Sequence, residues 1–225
     1  MWTEATFRDA DDEPSLGAVL TRLKGNGCNL LVTGTVSEAV SVRATRRLLG
    51  APTERRERTV VLTGSSIDMI EERLPGDVTL DDPHVRLIDQ RNGERSATRR
   101  EAEAETIAEG ASLDRLRCRL VRTVGDLDHG SLSPAELRLS LDSLGILLER
   151  HDEAAVVQFL RVLTALVRGV CGMGHFHLPL PDGDPRVESL SPLFDARVEL
   201  RQRGSMRPEQ RWHVPEYGVT EWVAV

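Results

Sequence analysis

The chain has 225 residues, of which 40% are apolar and 4% aromatic, and its formal net charge is −7. This length suffices for one large α/β domain with a core of Leu, Val, Ile and Ala. The acidic balance disfavours general nucleic-acid binding, and no apolar run approaches the ~20 residues of a membrane span. Residues 1–14 are polar, acidic and unlike a signal peptide. We expect a loose acidic leader followed by one cytoplasmic domain over residues 15–225.

Short apolar runs alternate with helical segments along the first ninety residues. Apolar spacing and glycine stops predict helices at residues 16–23 and 37–49. The runs at 28–33 and 58–63 each lead into a glycine and predict buried strands, and 85–89 predicts a third strand. This alternation favours a parallel, doubly wound sheet.

The middle of the chain carries a charged stretch and an ambiguous one. Residues 90–109 contain almost no large apolar side chains, so we expect an exposed loop or a poorly ordered helix there, before a helix at 113–127. Residues 133–136 are typical of a helix start, whereas the leucines of 137–141 alternate as in a strand. We favour a strand that ends at Asp142, because the sheet needs its next member there.

The last third of the chain predicts further helices and strands. Helices are expected at 144–150, 153–170 and 187–194, with a strand at 174–179. Alternating segments near the C-terminus predict an antiparallel meander appended to the parallel sheet, formed by residues 195–203, 210–214 and 221–225.

The turn after the first strand is the natural phosphate site, because the helix that follows offers free N–H groups and a positive dipole. A phosphate loop has the pattern G-x-x-x-x-G-K-[ST]. Gly34 and Ser41 fall in register with it, but Ala39 replaces the second glycine and Val40 replaces the lysine. The one lysine of the chain, Lys24, lies in the preceding helix, on the opposite side of the strand.

The same turn resembles a capping box that closes the helix with its own side chains. Thr35 stands as the cap, Ser37 follows in the turn, and Glu38 lies three residues after Thr35. Glu38 then places a carboxylate where a phosphate would rest, and like charges repel. The competing interpretation is a phosphate pocket completed by Arg43, one turn into the helix, because arginine binds phosphate bidentately.

Two longer stretches resemble RecA-like domains of the KaiC type. They are residues 28–50 and the run Leu139-Ser140-Leu141-Asp142-Ser143-Leu144, and the likeness continues through Phe159-Leu160 to 194–200. Residues 172–177 resemble a degenerate haloarchaeal (HTR-like) group of that superfamily. The resemblance implies a RecA-like fold.

The resemblance also bears on catalysis. It implies that Asp142 matches the magnesium-side aspartate of active members, although a residue that ends a strand or caps a helix is an equal interpretation. Active members carry an acidic pair after the second strand, where this chain has Gly64-Ser65-Ser66. A base that could activate water is therefore missing. The degenerate nucleotide site predicted on these grounds comprises Gly34, Thr35, Ser37, Glu38, Ser41, Arg43 and Asp142.

These features favour a catalytically inactive regulatory or protein-interaction module that acts on a protein partner or by self-association, with no cofactor. The alternative is a nucleotide-binding sensor or weak ATPase that takes ATP and Mg²⁺. A DNA-associated accessory role is a third hypothesis, by analogy with RecA alone.

Two histidines form a weak candidate metal site. His175 and His177 are two residues apart, so both face the same way on a strand. Asp182 or Asp184 could fold back as a third ligand, but histidines that line a polar sheet end are the favoured interpretation. The three cysteines are far apart and show neither metal spacing nor a disulfide framework.

Arginine dominates the basic residues, since all but one of the 29 are arginine. This bias and the acidic balance fit a GC-rich genome and a salt-rich cytoplasm. One arginine cluster could face an acidic partner or nucleic acid, although a solvated face is favoured. It comprises Arg43, Arg46, Arg47, Arg55, Arg56 and Arg58.

Overall fold

The structure is a computed structural model, and it describes residues 15–65, 69–90, 109–127, 132–215 and 217–225. The strands are β1 (Cys28–Thr33), β2 (Glu57–Leu62), β3 (Val85–Asp89), β4 (Leu137–Leu141), β5 (Met173–Leu178), β6 (Ala196–Arg201), β7 (Glu209–Val214), β8 (Gly218–Val219) and β9 (Val223–Ala224). The α-helices are α1 (Leu16–Asn26), α2 (Glu38–Leu48), α3 (Ile70–Arg73), α4 (Glu109–Leu127), α5 (Leu144–Arg150), α6 (Glu153–Gly169) and α7 (Pro185–Leu190).

The nine strands of the described residues belong to one sheet, in the order β3-β2-β4-β5-β1-β6-β7-β8, and β9 also pairs with β7. Strands β1 to β6 are parallel to one another. Strands β7, β8 and β9 continue the sheet in antiparallel pairing. The α/β fold class with a mainly parallel sheet and an antiparallel C-terminal extension is therefore confirmed.

Helices cover both faces of the sheet, which explains why the central strands are buried along their whole length. On the face that we call the α6 face, helices α4 to α7 pack against Leu31, Leu141 and Phe176. On the opposite α2 face, Val40 packs with Val32 and other residues of β1 and β6. Helix α3 also packs on the α2 face, in a smaller apolar cluster with β2 and β3.

Several sequence expectations need correction. Strand β6 is not part of a purely antiparallel meander, because it pairs in parallel with β1, Leu30 opposite Ala196. Residues 133–136 form a turn rather than a helix start, and β4 ends just before Asp142 as favoured. The helix predicted at 187–194 is divided into α7 and a 3₁₀ turn, Ser191–Leu193.

The predicted leader and most of the predicted charged loop lie outside the described residues. Helix α4 begins at Glu109, four residues before the expected start. Among the described helices, none combines the length and apolar character that crossing a membrane requires.

Candidate functional site

The turn after β1 lies at the carboxyl edge of the sheet, and the protein's own backbone closes it. Gly34 has a φ of 114°, and a Cβ added there would lie 2.1 Å from the carbonyl oxygen of Leu200. Its N–H donates to the carbonyl of Leu180 at 2.8 Å. The glycine that matches the phosphate loop thus serves close packing between β1, β6 and the loop after β5.

The start of α2 differs from the predicted capping box. The N-cap is Ser37, which accepts no side-chain hydrogen bond, and the helix begins at Glu38. The backbone N–H groups of Val40 and Ser41 both donate to the Ser37 carbonyl, at 3.0 and 3.2 Å, and this sets the N-cap two residues after Thr35. Thr35 is exposed. The capping-box prediction is therefore wrong.

Neither Lys24 nor Arg43 reaches the turn after β1. Val40, at the lysine position of the motif, is 3% exposed and belongs to the core. Arg43 is exposed on α2. Lys24 lies in the last turn of α1, just before the amino end of β1, and the six residues of β1 span about 20 Å.

Arg73 of α3 is the cation that does reach the site. It is 2% exposed, and its guanidinium donates to Ser65 Oγ at 2.6 Å and to Glu38 Oε1 at 3.3 Å. Its Nε has no hydrogen-bond partner among the described residues. Nothing in the run Ile70-Glu71-Glu72-Arg73 distinguishes this arginine from a solvated one, so sequence reasoning missed it.

Asp142 ties the end of β4 to the turn after β2. Its Oδ1 accepts from the N–H and the hydroxyl of Thr63, both at 2.7 Å, and its Oδ2 accepts from the N–H of Ser65 at 2.7 Å. Burial opposes ionisation, but these hydrogen bonds outweigh it, and the pKa of Asp142 lies below the usual aspartate value. The geometry matches a strand-end anchor, because both oxygens already have donors. Of the predicted Gly64-Ser65-Ser66 turn, Ser66 lies outside the described residues.

His175 and His177 face α2 from β5. Their rings lie 5.6 Å apart, and His177 Nε2 lies 3.0 Å from Thr45 Oγ1. Burial lowers the pKa of His177 to about 4 and that of His175 well below its usual value, with help from nearby Arg73. Both imidazoles are therefore neutral near pH 7.

Both candidate third ligands go elsewhere, since Asp184 caps α7 and accepts from the N–H of Arg186. Asp182 accepts from Thr33 Oγ1 at 2.8 Å and pairs with Arg197 at 2.7 Å. It meets Glu199 and His213 there, and these three form the one group of three metal-ligand-type side chains within the described ranges.

Two arginines already form ion pairs with the carboxylates of this second group, Arg197 with Asp182 and Arg211 with Glu199. Arg211 Nε lies 2.6 Å from Glu199, and His213 Nε2 lies 2.9 Å from the same carboxylate. The guanidinium of Arg197 faces His213 Nδ1 at 3.2 Å. Because a guanidinium only donates, Nδ1 accepts and Nε2 carries the proton. The histidine therefore presents no free lone pair to a metal.

Comparison with known proteins places the chain in a family. The model of DUF7504, a family of unknown function, matches residues 27–200. The chain belongs to the DUF7504 family. No curated protein sequence matches it.

Among solved structures, the DUF7504 chain is similar to a KaiC-like protein, PH0186, from the hyperthermophilic archaeon Pyrococcus horikoshii OT3. The TM-score is 0.56 at 13% identity, over 89% of this chain and 82% of that one. The likeness confirms the KaiC-like, RecA-type fold expected from the sequence, and at this identity it concerns the fold alone.

The predicted arginine cluster of the DUF7504 chain is dispersed into separate contacts. Arg46 and Arg47 donate to the carbonyls of Glu72 and Ala224, and Arg55 pairs with Glu136 at 3.0 Å. Arg56 pairs with Glu54, and the buried Arg58 donates to carbonyls at the end of α2. Arg43 alone of the six has no such contact in the described part of the chain.

Proposed function

We propose that this DUF7504 chain is a KaiC-like module that does not hydrolyse ATP and acts in regulation through contacts with protein. The observation that carries the proposal is the closed turn after β1. Gly34 donates its N–H to Leu180, and Glu38, at the start of α2, receives Arg73 rather than a phosphate.

Two further features support the absence of turnover. Hydrolysis needs a cation on the phosphates and a base that activates water. Val40 occupies the lysine position as a core residue. In the turn after β2, Ser65 has no carboxylate that could activate a water molecule. It is instead hydrogen-bonded to Asp142 and Arg73.

Calorimetry with ATP and Mg²⁺ on the full chain, together with an assay of phosphate release, tests the proposal. We expect no binding heat at millimolar nucleotide and no release above the buffer rate, in low and in high salt. Binding with turnover that Asp142→Ala abolishes, while the variant keeps its fold by circular dichroism, would overturn it.

One observation favours a second candidate, a nucleotide-binding sensor. Arg73 is a buried guanidinium with an unpartnered Nε at the carboxyl edge of the sheet, and arginine can replace lysine as the phosphate ligand. A sensor predicts that ATP–Mg²⁺ raises the melting temperature and that Arg73→Gln removes the rise. Arg43→Ala is the matched control, and each shift is measured against the same variant without ligand. No shift in the unsubstituted chain excludes the sensor.

We also propose that the protein works in a salt-rich cytoplasm. The near absence of lysine and the net charge of −7 support a cytoplasmic protein of a haloarchaeal, salt-rich cell. Solubility and unfolding midpoint that both increase from low to multimolar KCl are the expected result. Loss of solubility in such salt would contradict it.

A further inference from the structure

Arg73 carries a buried charge that the rest of the described chain balances only in part. Its side chain is 3% exposed, whereas its one carboxylate partner in the described ranges, Glu38, is 52% exposed and lies 3.3 Å from Nη2. Water competes for a carboxylate in such a position, so the ion pair is weak. A guanidinium that has left water needs a counter-charge close to it, and Glu38 supplies only part of that charge.

Asp142 does not supply the remainder. Its Oδ1 accepts from the N–H and the hydroxyl of Thr63, and its Oδ2 accepts from the N–H of Ser65, all at 2.7 Å. Arg73 reaches this network only through the Ser65 hydroxyl, at 2.6 Å, which carries no charge. Among the described residues, the buried guanidinium therefore keeps an excess of positive charge.

Unpartnered polar atoms lie near this charge, on the α2 face of the sheet. Arg73 Nε, His175 Nε2 and Ser140 Oγ are buried and form no hydrogen bond with the part of the chain that the structure describes. Ser140 on β4 stands opposite His175 on β5, so both side chains point towards α2. After burial, the charge of Arg73 is among the causes that lower the pKa of both His175 and His177, which places the guanidinium near the two rings. Buried polar groups without a protein partner usually contact a water molecule or an ion.

The free part of the guanidinium suits a spherical anion better than an oxyanion. A carboxylate or a phosphate binds arginine through two parallel N–H groups, and both such edges of a guanidinium include Nη2. Here Nη2 already donates to Ser65 and Glu38, so Nε offers a single donor. The Ser140 hydroxyl can donate as well, and so can a neutral His175 that carries its proton on Nε2. A halide ion accepts hydrogen bonds from single donors in any direction.

We propose that an anion of chloride size binds beneath α2, against Arg73 Nε and the unpartnered donors of β4 and β5. The ion completes the counter-charge of Arg73 and connects α3 to the centre of the sheet. Because the site is buried, added salt screens it far less than it screens a surface ion pair. A salt-rich cytoplasm supplies chloride at a concentration that fills even a weak site. The site does not depend on whether the turn after β1 binds nucleotide.

Bromide locates such a site, because it replaces chloride and scatters X-rays anomalously. In crystals of the full chain soaked in potassium bromide, we expect an anomalous peak within hydrogen-bond distance of Arg73 Nε. In solution, melting temperatures are compared in potassium chloride and in potassium gluconate at the same potassium concentration, since gluconate is too large for a buried site. The unsubstituted chain should melt at a higher temperature in chloride.

Three variants separate this site from the general effect of the two salts. Arg73→Gln should lose both the bromide peak and the chloride-specific part of the melting shift. Arg43→Gln is the matched control, because Arg43 is exposed on α2, and it should keep both. Glu38→Gln removes the competing carboxylate and should enlarge the chloride-specific shift, so the site remains testable if Arg73→Gln does not fold.

Three results would overturn the anion site. They are a water molecule where the bromide peak is expected, a peak in crystals without any chloride-specific shift in solution, and equal shifts in the unsubstituted chain and in Arg73→Gln. Calorimetry with inorganic phosphate tests the size of the ion, and a binding heat that Arg73→Gln abolishes would contradict a halide. Calorimetry with ATP and Mg²⁺ reports separately on the proposed function, because turnover of ATP by a chain that keeps its bromide peak overturns only the lack of hydrolysis.

Discussion

Gly34 and Leu200 approach each other so closely that a Cβ on the glycine would stand 2.1 Å from the leucine carbonyl oxygen. The contact joins the end of β1 to its parallel neighbour β6. It gives the first position of the phosphate-loop pattern a packing role that does not depend on a nucleotide. A glycine at this position is therefore expected whether or not the site binds phosphate.

Replacement of Gly34 by alanine should destabilise the fold strongly. Its φ of 114° disfavours any side chain, and the added Cβ has only backbone to displace, so we expect a loss well above the ~1 kcal/mol typical of strained glycine positions. Urea unfolding measures it. Gly183→Ala is the control, because nothing lies within 4 Å of a Cβ there. Equal stability of the two variants would contradict the close contact.

Substitution of Asp142 should lower stability in a pH-dependent way. Asp142→Ala leaves the buried N–H groups of Thr63 and Ser65 without their acceptor, and we expect a loss of about 3 kcal/mol near pH 7. The pKa of Asp142 is lowered in the folded chain, so its contribution is complete above the unfolded value of about 3.9 and declines as pH falls through the folded value. The difference between wild type and variant should narrow in acid, by urea unfolding. A difference that widens in acid would contradict a pKa of Asp142 that is lowered by folding.

The buried histidines should make the fold acid-sensitive. Folding lowers the pKa of His177 to about 4, so the unfolded chain binds this proton first as pH falls below about 6.5. Stability should be full above that pH and should fall by up to about 1.4 kcal/mol per pH unit towards pH 4 for each such histidine. His177→Gln should show a shallower decline in unfolding experiments between these pH values. An unchanged slope would mean that this imidazole is accessible to protons in the folded chain.

Arg197 should not be replaceable by lysine. Its Nη2 donates to Asp182 at 2.9 Å and its Nη1 donates to Ser191 Oγ at 3.0 Å, while its Nε lies 2.7 Å from the same carboxylate without forming a hydrogen bond. Lysine offers one point charge and cannot reproduce this fork, so Arg197→Lys should lower the unfolding free energy by about 2 kcal/mol. Arg203→Lys, at an exposed position, should change it by less than about 0.5 kcal/mol. Similar values for both substitutions would show that the fork is not needed.

The sheet was largely predictable from local pattern. Runs such as 28–33 and 58–63 are centred on consecutive apolar residues, and a strand covered on both faces favours that composition. At 133–141 local signals conflicted, and the strand formed because β4 lies between β2 and β5. The parallel pairing of β6 with β1 was missed, because alternation identifies a strand but not its neighbour.

The lack of a lysine at the phosphate turn was determined by the sequence alone, since Val40 stands in the motif and the single lysine precedes β1. Which groups occupy the turn was decided only by tertiary structure. Glu38 was expected to cap its own helix, but it meets Arg73, 35 residues away in the chain. Asp182 was a candidate partner of the histidine pair, but it joins Arg197 and His213. Composition and spacing act along the chain, whereas a buried charge takes its partner from whichever segments the packed sheet brings within a few ångströms.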